Sequence, residues 1–260
     1  MKLFKETKYF IIDMDGTFYL GDKIIPGSEK FIQAVKSSGR DFYFFTNNSS
    51  HNAEECAEKL KKIGFPVPLE KIIISSHVAI DYILRNRPNK RIMVLGNSNF
   101  KKDCIRAGLQ VDNSDPDIVL LGFDTTLTYE KINKAANLLA NGCEYIATHP
   151  DKNCPLAEGF MLDTGSMIEM FFASVGRRPD IIAGKPYSYT VDYITNLLSC
   201  TRDEICFVGD RLETDIAIGM KNGTKSALVY SGVTTPEMYE QSDIKATVAV
   251  ENLLALCNEL

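Results

Sequence analysis

The chain of 260 residues has no Cys-x-x-Cys pair, no stretch dense in Lys or Arg, no long apolar run, no internal repeat and no low-complexity linker. Each absence narrows the field. The cysteines, Cys56, Cys104, Cys143, Cys154, Cys200, Cys206 and Cys257, are odd in number and scattered, which excludes a zinc knuckle or a thioredoxin-type motif. Unpaired thiols at such spacing fit a reducing compartment better than a secreted scaffold. Lys and Arg total 29 against 34 Asp and Glu, a net charge of −5, and without a basic stripe a chain has little grip on a nucleic-acid backbone. No segment approaches the roughly 18 apolar residues of a membrane span, and Met1 to Lys8 carry too much charge for a signal peptide. A cytoplasmic protein with no nucleic-acid and no membrane partner is expected.

What is present is the ordinary globular mix, 45% hydrophobic and 24% charged. Disorder, collagen and coiled coil are excluded, and a chain this long buries about 70% of its unfolded surface without needing disulfides or a structural metal. β-Branched and aromatic runs at 9–14, 41–46, 72–75, 91–95, 117–123, 144–148, 204–209 and 225–230 alternate with stretches whose apolar residues recur at helical spacing, such as Phe31, Ile32 and Val35. The segment from Leu212 to Asn222 ends at Gly223, a good residue to close a helix. Alternation of this kind predicts an α/β fold with a parallel sheet buried on both faces. Two polar Arg/Pro turns, 85–90 and 176–180, bracket the middle of the chain. Taken as hinges, they predict a core of residues 1–80 and 181–260 with an inserted α/β domain at 81–180.

The polar residues that follow the strands carry the chemistry. Tyr9 to Ile12 run into Asp13-Met14-Asp15-Gly16-Thr17, two carboxylates at the carboxyl end of an apolar strand, which is costly unless a cation sits with them. Magnesium, which takes carboxylate and phosphate oxygens, suits that placement. The bare D-x-D pattern also occurs in surface turns and in sugar-nucleotide transferases. The strand at 41–46 delivers Thr46-Asn47-Asn48 before a helix start capped by Ser50 or Asn52, where hydroxyl and backbone N–H groups can meet an anion; an ordinary helix cap explains the same residues. Lys185 stands in a Gly184-Lys185-Pro186 frame, either a surface lysine or a phosphate clamp. The strand at 204–209 delivers Asp210, and Asp215 follows on the first turn of the next helix, where capping alone would account for Asp215 but not for Asp210.

In this order the four motifs, D-x-D-G-T, T-N, G-K-P and G-D-x-x-x-T-D, resemble the phosphatases of the haloacid dehalogenase superfamily. Pro26-Gly27, Thr46-Asn47-Asn48, Ala147-Thr148-His149-Pro150-Asp151 and Ser231-Gly232-Val233 make the chain similar to the NagD-like and para-nitrophenyl phosphatase branch. The resemblance implies a Rossmann-like core with a large inserted α/β cap, and a small phosphorylated metabolite as partner. It also implies an aspartyl-phosphate mechanism, with Asp13 as nucleophile and Asp15 as general acid and base. Mg2+ would be held by Asp13, the backbone carbonyl of Asp15 and Asp210. Thr46, Asn47, Asn48 and Lys185 would grip the phosphate, and Asp215 would orient Lys185 or a metal-bound water. Having a carboxylate at Asp15 argues for phosphoryl transfer over dehalogenation, in which the halide needs no proton. Where the branch reads T-N-P-D, this chain has His149, expected either to face the leaving group from the cap or to sit on a surface loop. Residues 151–163, with Gly165 and Ser166, are the expected cap lining, and a homodimer through the cap is open. A non-catalytic phospho-ligand binder on the same fold is the alternative; a D-x-D glycosyltransferase would leave Lys185, Asp210 and Asp215 unexplained.

Overall fold

The computed structural model describes residues 3–156 and 158–260. Ala157, within the expected cap lining, and Met1 and Lys2 of the charged N-terminal run lie outside the described residues. Two compact units emerge, one of residues 1–46, 57–73 and 185–260 and the other of 47–56 and 74–184. The boundaries expected at the Arg/Pro turns lie inside the second unit: position 81 falls within the helix Ser75–Asn86, and position 181 opens the short strand Ile181–Ile182. Those polar turns are surface turns of one unit. The chain changes unit at the end of the strand Asp41–Thr46, within the helix Ala53–Lys62, within the strand Ile72–Ile74 and just past Ile181–Ile182, with no shift in composition to mark it.

The first unit is built on a six-stranded sheet ordered Val248–Val250, Lys225–Val229, Ile205–Gly209, Tyr9–Ile12, Asp41–Thr46, Ile72–Ile74. Tyr9–Ile12 lies between two parallel neighbours, its Ile12 level with Val208 on one side and Phe44 on the other. A strand flanked in this way and covered on both faces has to be a continuous apolar run, as Tyr-Phe-Ile-Ile is. The helix Ser28–Ser37 turns Phe31, Ile32 and Val35 inward, and the Phe10 ring meets Phe4 and Phe31 edge to face, each pair at 5.5 Å. The first strand is shorter than the expected 9–14. Met14 leaves the ladder because its carbonyl accepts from the N–H groups of Phe18 and Tyr19 in a tight turn. That turn leads into a two-stranded hairpin, Tyr19–Leu20 with Lys23–Ile24, which has no signature in so short a sequence.

In the second unit, five strands are ordered Ile181–Ile182, Glu144–Ala147, Ile118–Leu121, Arg91–Leu95, Gln110–Val111, every pairing parallel. Val119, Leu121, Tyr145 and Ala147 on the sheet pack with Ala135 and Leu139 of the helix Tyr129–Ala140 and with Ile168 and Phe171 of Thr164–Val175. A separate antiparallel hairpin, Asn153–Pro155 with Phe160–Leu162, holds Phe160 and Leu162 exposed. Both units are thus α/β with parallel sheets, as the alternation predicts. Among the described residues, no helix is long and apolar enough to cross a membrane. All seven cysteines are free; Cys56, Cys104 and Cys206 fill core positions and the other four are partly exposed.

At the carboxyl end of the Ile205–Gly209 strand the backbone has to be bare. A Cβ on Gly209 would stand 2.2 Å from Asp215 Cγ, so a side chain there would drive Asp215 off the strand end. Gly209→Ala is therefore expected to destabilise the protein by about 1–3 kcal/mol, the usual cost of overpacking. Thermal denaturation of the variant beside wild type measures it, and an unchanged midpoint would show that Asp215 can give way freely.

Candidate functional site

Parallel register brings the acidic motifs to one end of the first unit's sheet. Asp13 is the first residue past its strand and still donates its N–H to the Val208 carbonyl at 2.8 Å, while Asp210 is the first residue past the neighbouring strand. Thr46 closes the strand on the other side and is nearly buried. Asp210 is fixed on both oxygens: Oδ2 accepts from the Val233 N–H at 2.7 Å, and Oδ1 accepts from Thr17 Oγ1 at 3.3 Å. The backbone around it is correspondingly close, since a Cβ on Gly16 would lie 2.6 Å from Asp210 Oδ2, and Gly16 takes the positive φ of +81° that its turn requires.

Lys185 reaches this strand end from the segment after Gly184. Its ammonium donates to Asp13 Oδ1 at 2.7 Å and to Asp215 Oδ1 at 2.5 Å, and sits 5.1 Å from the centre of the Phe45 ring. The other Asp215 oxygen, Oδ2, accepts from the Arg211 N–H at 3.2 Å. The default reading of Lys185 as a surface residue is thereby overturned, for it is 2% exposed. Asp215 likewise does more than cap its helix turn.

One carboxylate oxygen from each of Asp13, Asp210 and Asp215 lies within 4.8 Å of the others. Three carboxyl groups thus share one buried ammonium. The electrostatics follow. Burial pushes the Asp13 carboxyl well above its ordinary value against the pull of Lys185, and repulsion from Asp215 and Asp210 adds to the rise. Burial and then Asp215 push Asp210 up to about 6. Burial disfavours the Lys185 ammonium, yet Asp13 and Asp215 more than offset it and hold the charge on. An excess of hard oxygen donors over positive charge fits a divalent cation of the magnesium type. Asp13 and Asp210, each the first residue past its strand, are the candidate direct ligands, and Asp215, whose Oδ1 accepts from the Lys185 ammonium, is placed to orient that ammonium.

Asp15 differs from this buried group. Its side chain is 55% exposed, its Oδ2 accepts from Tyr19 Oη at 3.1 Å, and Lys59 Nζ stands 3.6 Å from its Oδ1. Sequence reasoning missed both partners. Tyr19 is only four positions away, but nothing in a D-G-T-F-Y run says that the ring folds back, and Lys59, on the helix Ala53–Lys62, has no signal at all.

The remaining expected site residues belong to the second unit. Asn47 donates from Nδ2 to Asp151 Oδ2 at 2.7 Å, and its carbonyl accepts from Ser75 Oγ at 2.6 Å. Asn48 Oδ1 accepts from the Ser50 N–H and hydroxyl, tying a turn, and the helix that follows is capped by Asn52, whose Oδ1 accepts from the Glu55 N–H. His149 is not on a surface loop: it is fully buried, with Nδ1 2.8 Å from Thr148 Oγ1 and 3.3 Å from Ser75 Oγ, and Nε2 2.7 Å from Asp163 Oδ1. A ring engaged on both nitrogens inside the unit is built to hold neighbours in place, not to meet a leaving group.

Residues 10–110 match the haloacid dehalogenase-like hydrolase family, and residues 182–256 match a second family of HAD-hydrolase-like sequences. The acid sugar phosphatase of Staphylococcus haemolyticus is 31% identical over 98% of this chain and 97% of its own. Among solved structures, the 4-nitrophenylphosphatase of Thermotoga maritima is 42% identical with a TM-score of 0.95, covering 98% of each chain. NagD of E. coli K-12 is 26% identical with a TM-score of 0.88, covering 95% of this chain and 97% of that one. Likeness that runs the whole length, and not through one motif alone, means that the chain belongs to the haloacid dehalogenase-like hydrolases, among their NagD-like and p-nitrophenyl phosphatase members.

Proposed function

We propose that this enzyme hydrolyses phosphate monoesters of small metabolites through an aspartyl-phosphate, and the observation that carries the reading is Lys185 held between Asp13 and Asp215 beside Asp210. An Asp13 oxygen attacks phosphorus as the ester P–O bond breaks, and the proton of Asp15 passes to the departing oxygen. Water then attacks the phosphorus of the acyl phosphate, gives its proton to Asp15, and releases phosphate with Asp13 restored. Lys185 supplies a fixed positive charge to the equatorial phosphate oxygens, and Thr46 at the same sheet end supplies a hydroxyl. A magnesium ion held by Asp13, Asp210 and the backbone carbonyl of Asp15 would neutralise charge on the phosphate and on the attacking carboxylate.

The half-exposed Asp15 fits a group that must exchange protons with both ester and water, whereas Asp13 and Asp210, whose ionised forms the surroundings disfavour, fit groups that a cation would stabilise. The second unit corresponds to the inserted α/β cap that the resemblance implies. Sugar phosphates and aryl phosphates are the favoured substrate class, because the relatives include an acid sugar phosphatase and a 4-nitrophenylphosphatase.

Turnover of p-nitrophenyl phosphate with magnesium is expected to fall at least about thousandfold in Asp13→Asn, the scale of losing a nucleophile. Full activity in that variant would remove Asp13 from the role. Chelation should abolish wild-type activity and added magnesium restore it; activity indifferent to chelator would end the metal assignment.

A second expectation follows from the sign of the Asp210 shift. Its folded-state value, about 6, is raised above the ordinary carboxylate value of 3.8, so the ionised form is disfavoured in the fold. Its contribution opposes folding fully above pH 6, fades as pH falls, and is gone below about 4. Asp210→Asn should therefore raise the melting temperature of metal-free protein at pH 7.5 by a few degrees, show no such gain near pH 4, and abolish the stabilisation that magnesium gives wild type. Equal destabilisation at both pH values would contradict the unfavourable charge.

A further inference from the structure

The tight turn after Asp13 and the hairpin that follows it enclose Asp15 in a way that the phosphatase reaction, as described above, does not use. Tyr19 is 2% exposed, and its hydroxyl donates to Asp15 Oδ2 at 3.1 Å. The Lys59 ammonium lies 4.1 Å from the centre of that same ring and 3.6 Å from Asp15 Oδ1. One side chain thus addresses each carboxyl oxygen, and the two are themselves joined by a cation–π contact.

The backbone is secured as firmly as the side chain. Gly16 donates its N–H to the Tyr19 carbonyl at 2.8 Å, Tyr19 donates to the Met14 carbonyl at 3.1 Å, and Ser231 Oγ donates to the Gly16 carbonyl at 2.8 Å. An exposed carboxyl on an ordinary surface turn would sample its rotamers freely. Here the turn Gly16-Thr17-Phe18 returns the aromatic ring of the hairpin onto the carboxyl that opened the turn.

We infer that Tyr19 is a positioning residue for proton transfer: its hydroxyl holds Oδ2 of Asp15 so that Oδ1 is the oxygen presented to the leaving group, with Lys59 keeping the ring seated and balancing the carboxylate once its proton has left. The inference rests on the phosphatase reading and on Asp15 as its general acid. The proton leaves Asp15 Oδ1, joins the ester oxygen as the P–O bond breaks, and returns from water in the second half-reaction, so Tyr19 itself exchanges nothing. A residue acting in this way matters in proportion to how much the departing oxygen needs a proton. Phenolate is a poor leaving group and p-nitrophenolate a good one, while the two substrates differ little in shape near phosphorus.

The test compares kcat/KM, which reports the step up to the aspartyl-phosphate, for phenyl phosphate and p-nitrophenyl phosphate with magnesium present. Tyr19→Phe keeps the buried ring and its contact with Lys59, so it removes the hydrogen bond alone. Loss of a hydrogen bond to a charged group predicts a fall of about tenfold or more on phenyl phosphate and a clearly smaller one on p-nitrophenyl phosphate. Lys59→Met should give a weaker loss with the same bias. Equal losses on both substrates in Tyr19→Phe, or no loss on either, would overturn the positioning role and make the residue structural only. Asp15→Asn distinguishes the two levels. A strongly selective loss there with an unselective Tyr19→Phe sinks the inference alone, whereas wild-type rates on phenyl phosphate in Asp15→Asn would sink the general-acid reading and the inference together.

Discussion

A single buried ammonium holds the first unit's strand end together. Lys185 neutralises part of a carboxylate cluster whose members are delivered by two separate stretches of chain, and without it Asp13, Asp210 and Asp215 would repel one another where little water can screen them. The sheet order fixes that gathering. Tyr9–Ile12 and Ile205–Gly209 pair in register, so the residues just past each strand must meet, and the bare backbone of Gly209 lets Asp215 close in behind. The surplus of carboxyl groups over ammonium in this cluster is what the proposed cation would balance.

The second unit solves a different problem with similar parts. Asp163, His149 and Ser75 form a line that looks like a hydrolytic triad, but all three are buried and Ser75 Oγ is given to the Asn47 carbonyl. The order of groups does not make a nucleophile; exposure and an unspent hydroxyl would be needed as well. What the line does is join the end of the Glu144–Ala147 strand to the start of the Thr164–Val175 helix and to Asn47, with Ser49 and Thr148 hydroxyls extending it to the Phe123 N–H. Satisfied polar chains of this kind specify one arrangement of a sheet end.

Much of this was readable in the residues, for physical reasons. Long apolar runs in central parallel strands leave no other secondary structure open to them, so 41–46 and 91–95 appear with the limits the sequence implies. Polar residues ending such runs are expensive, so Asp13 and Asp210 stood out, and their company with Lys185 follows from parallel pairing. Edge strands such as Gln110–Val111 and Ile181–Ile182 span two residues each and hold no periodicity to read. The burial of His149 rules out the surface loop and has no local signal, because its partners Ser75 and Asp163 stand 74 and 14 positions away. Lys59 was invisible for the same reason: contacts across the fold leave no trace in local spacing.

The first unit is also a statement about chain order. Lys185 and Asp13 are 172 positions apart, and Thr17 and Asp210 are 193 apart, with the whole second unit made between them. A growing chain therefore finishes the inserted sheet, with its largely contiguous 74–184, before the strand that must flank Tyr9–Ile12 exists. Until then the opening Tyr-Phe-Ile-Ile strand has no partner on that side, and its apolar faces wait through most of synthesis. Completing the sheet and assembling the carboxylate–lysine cluster are the same late event, so a chain that has not finished folding lacks the assembled cluster.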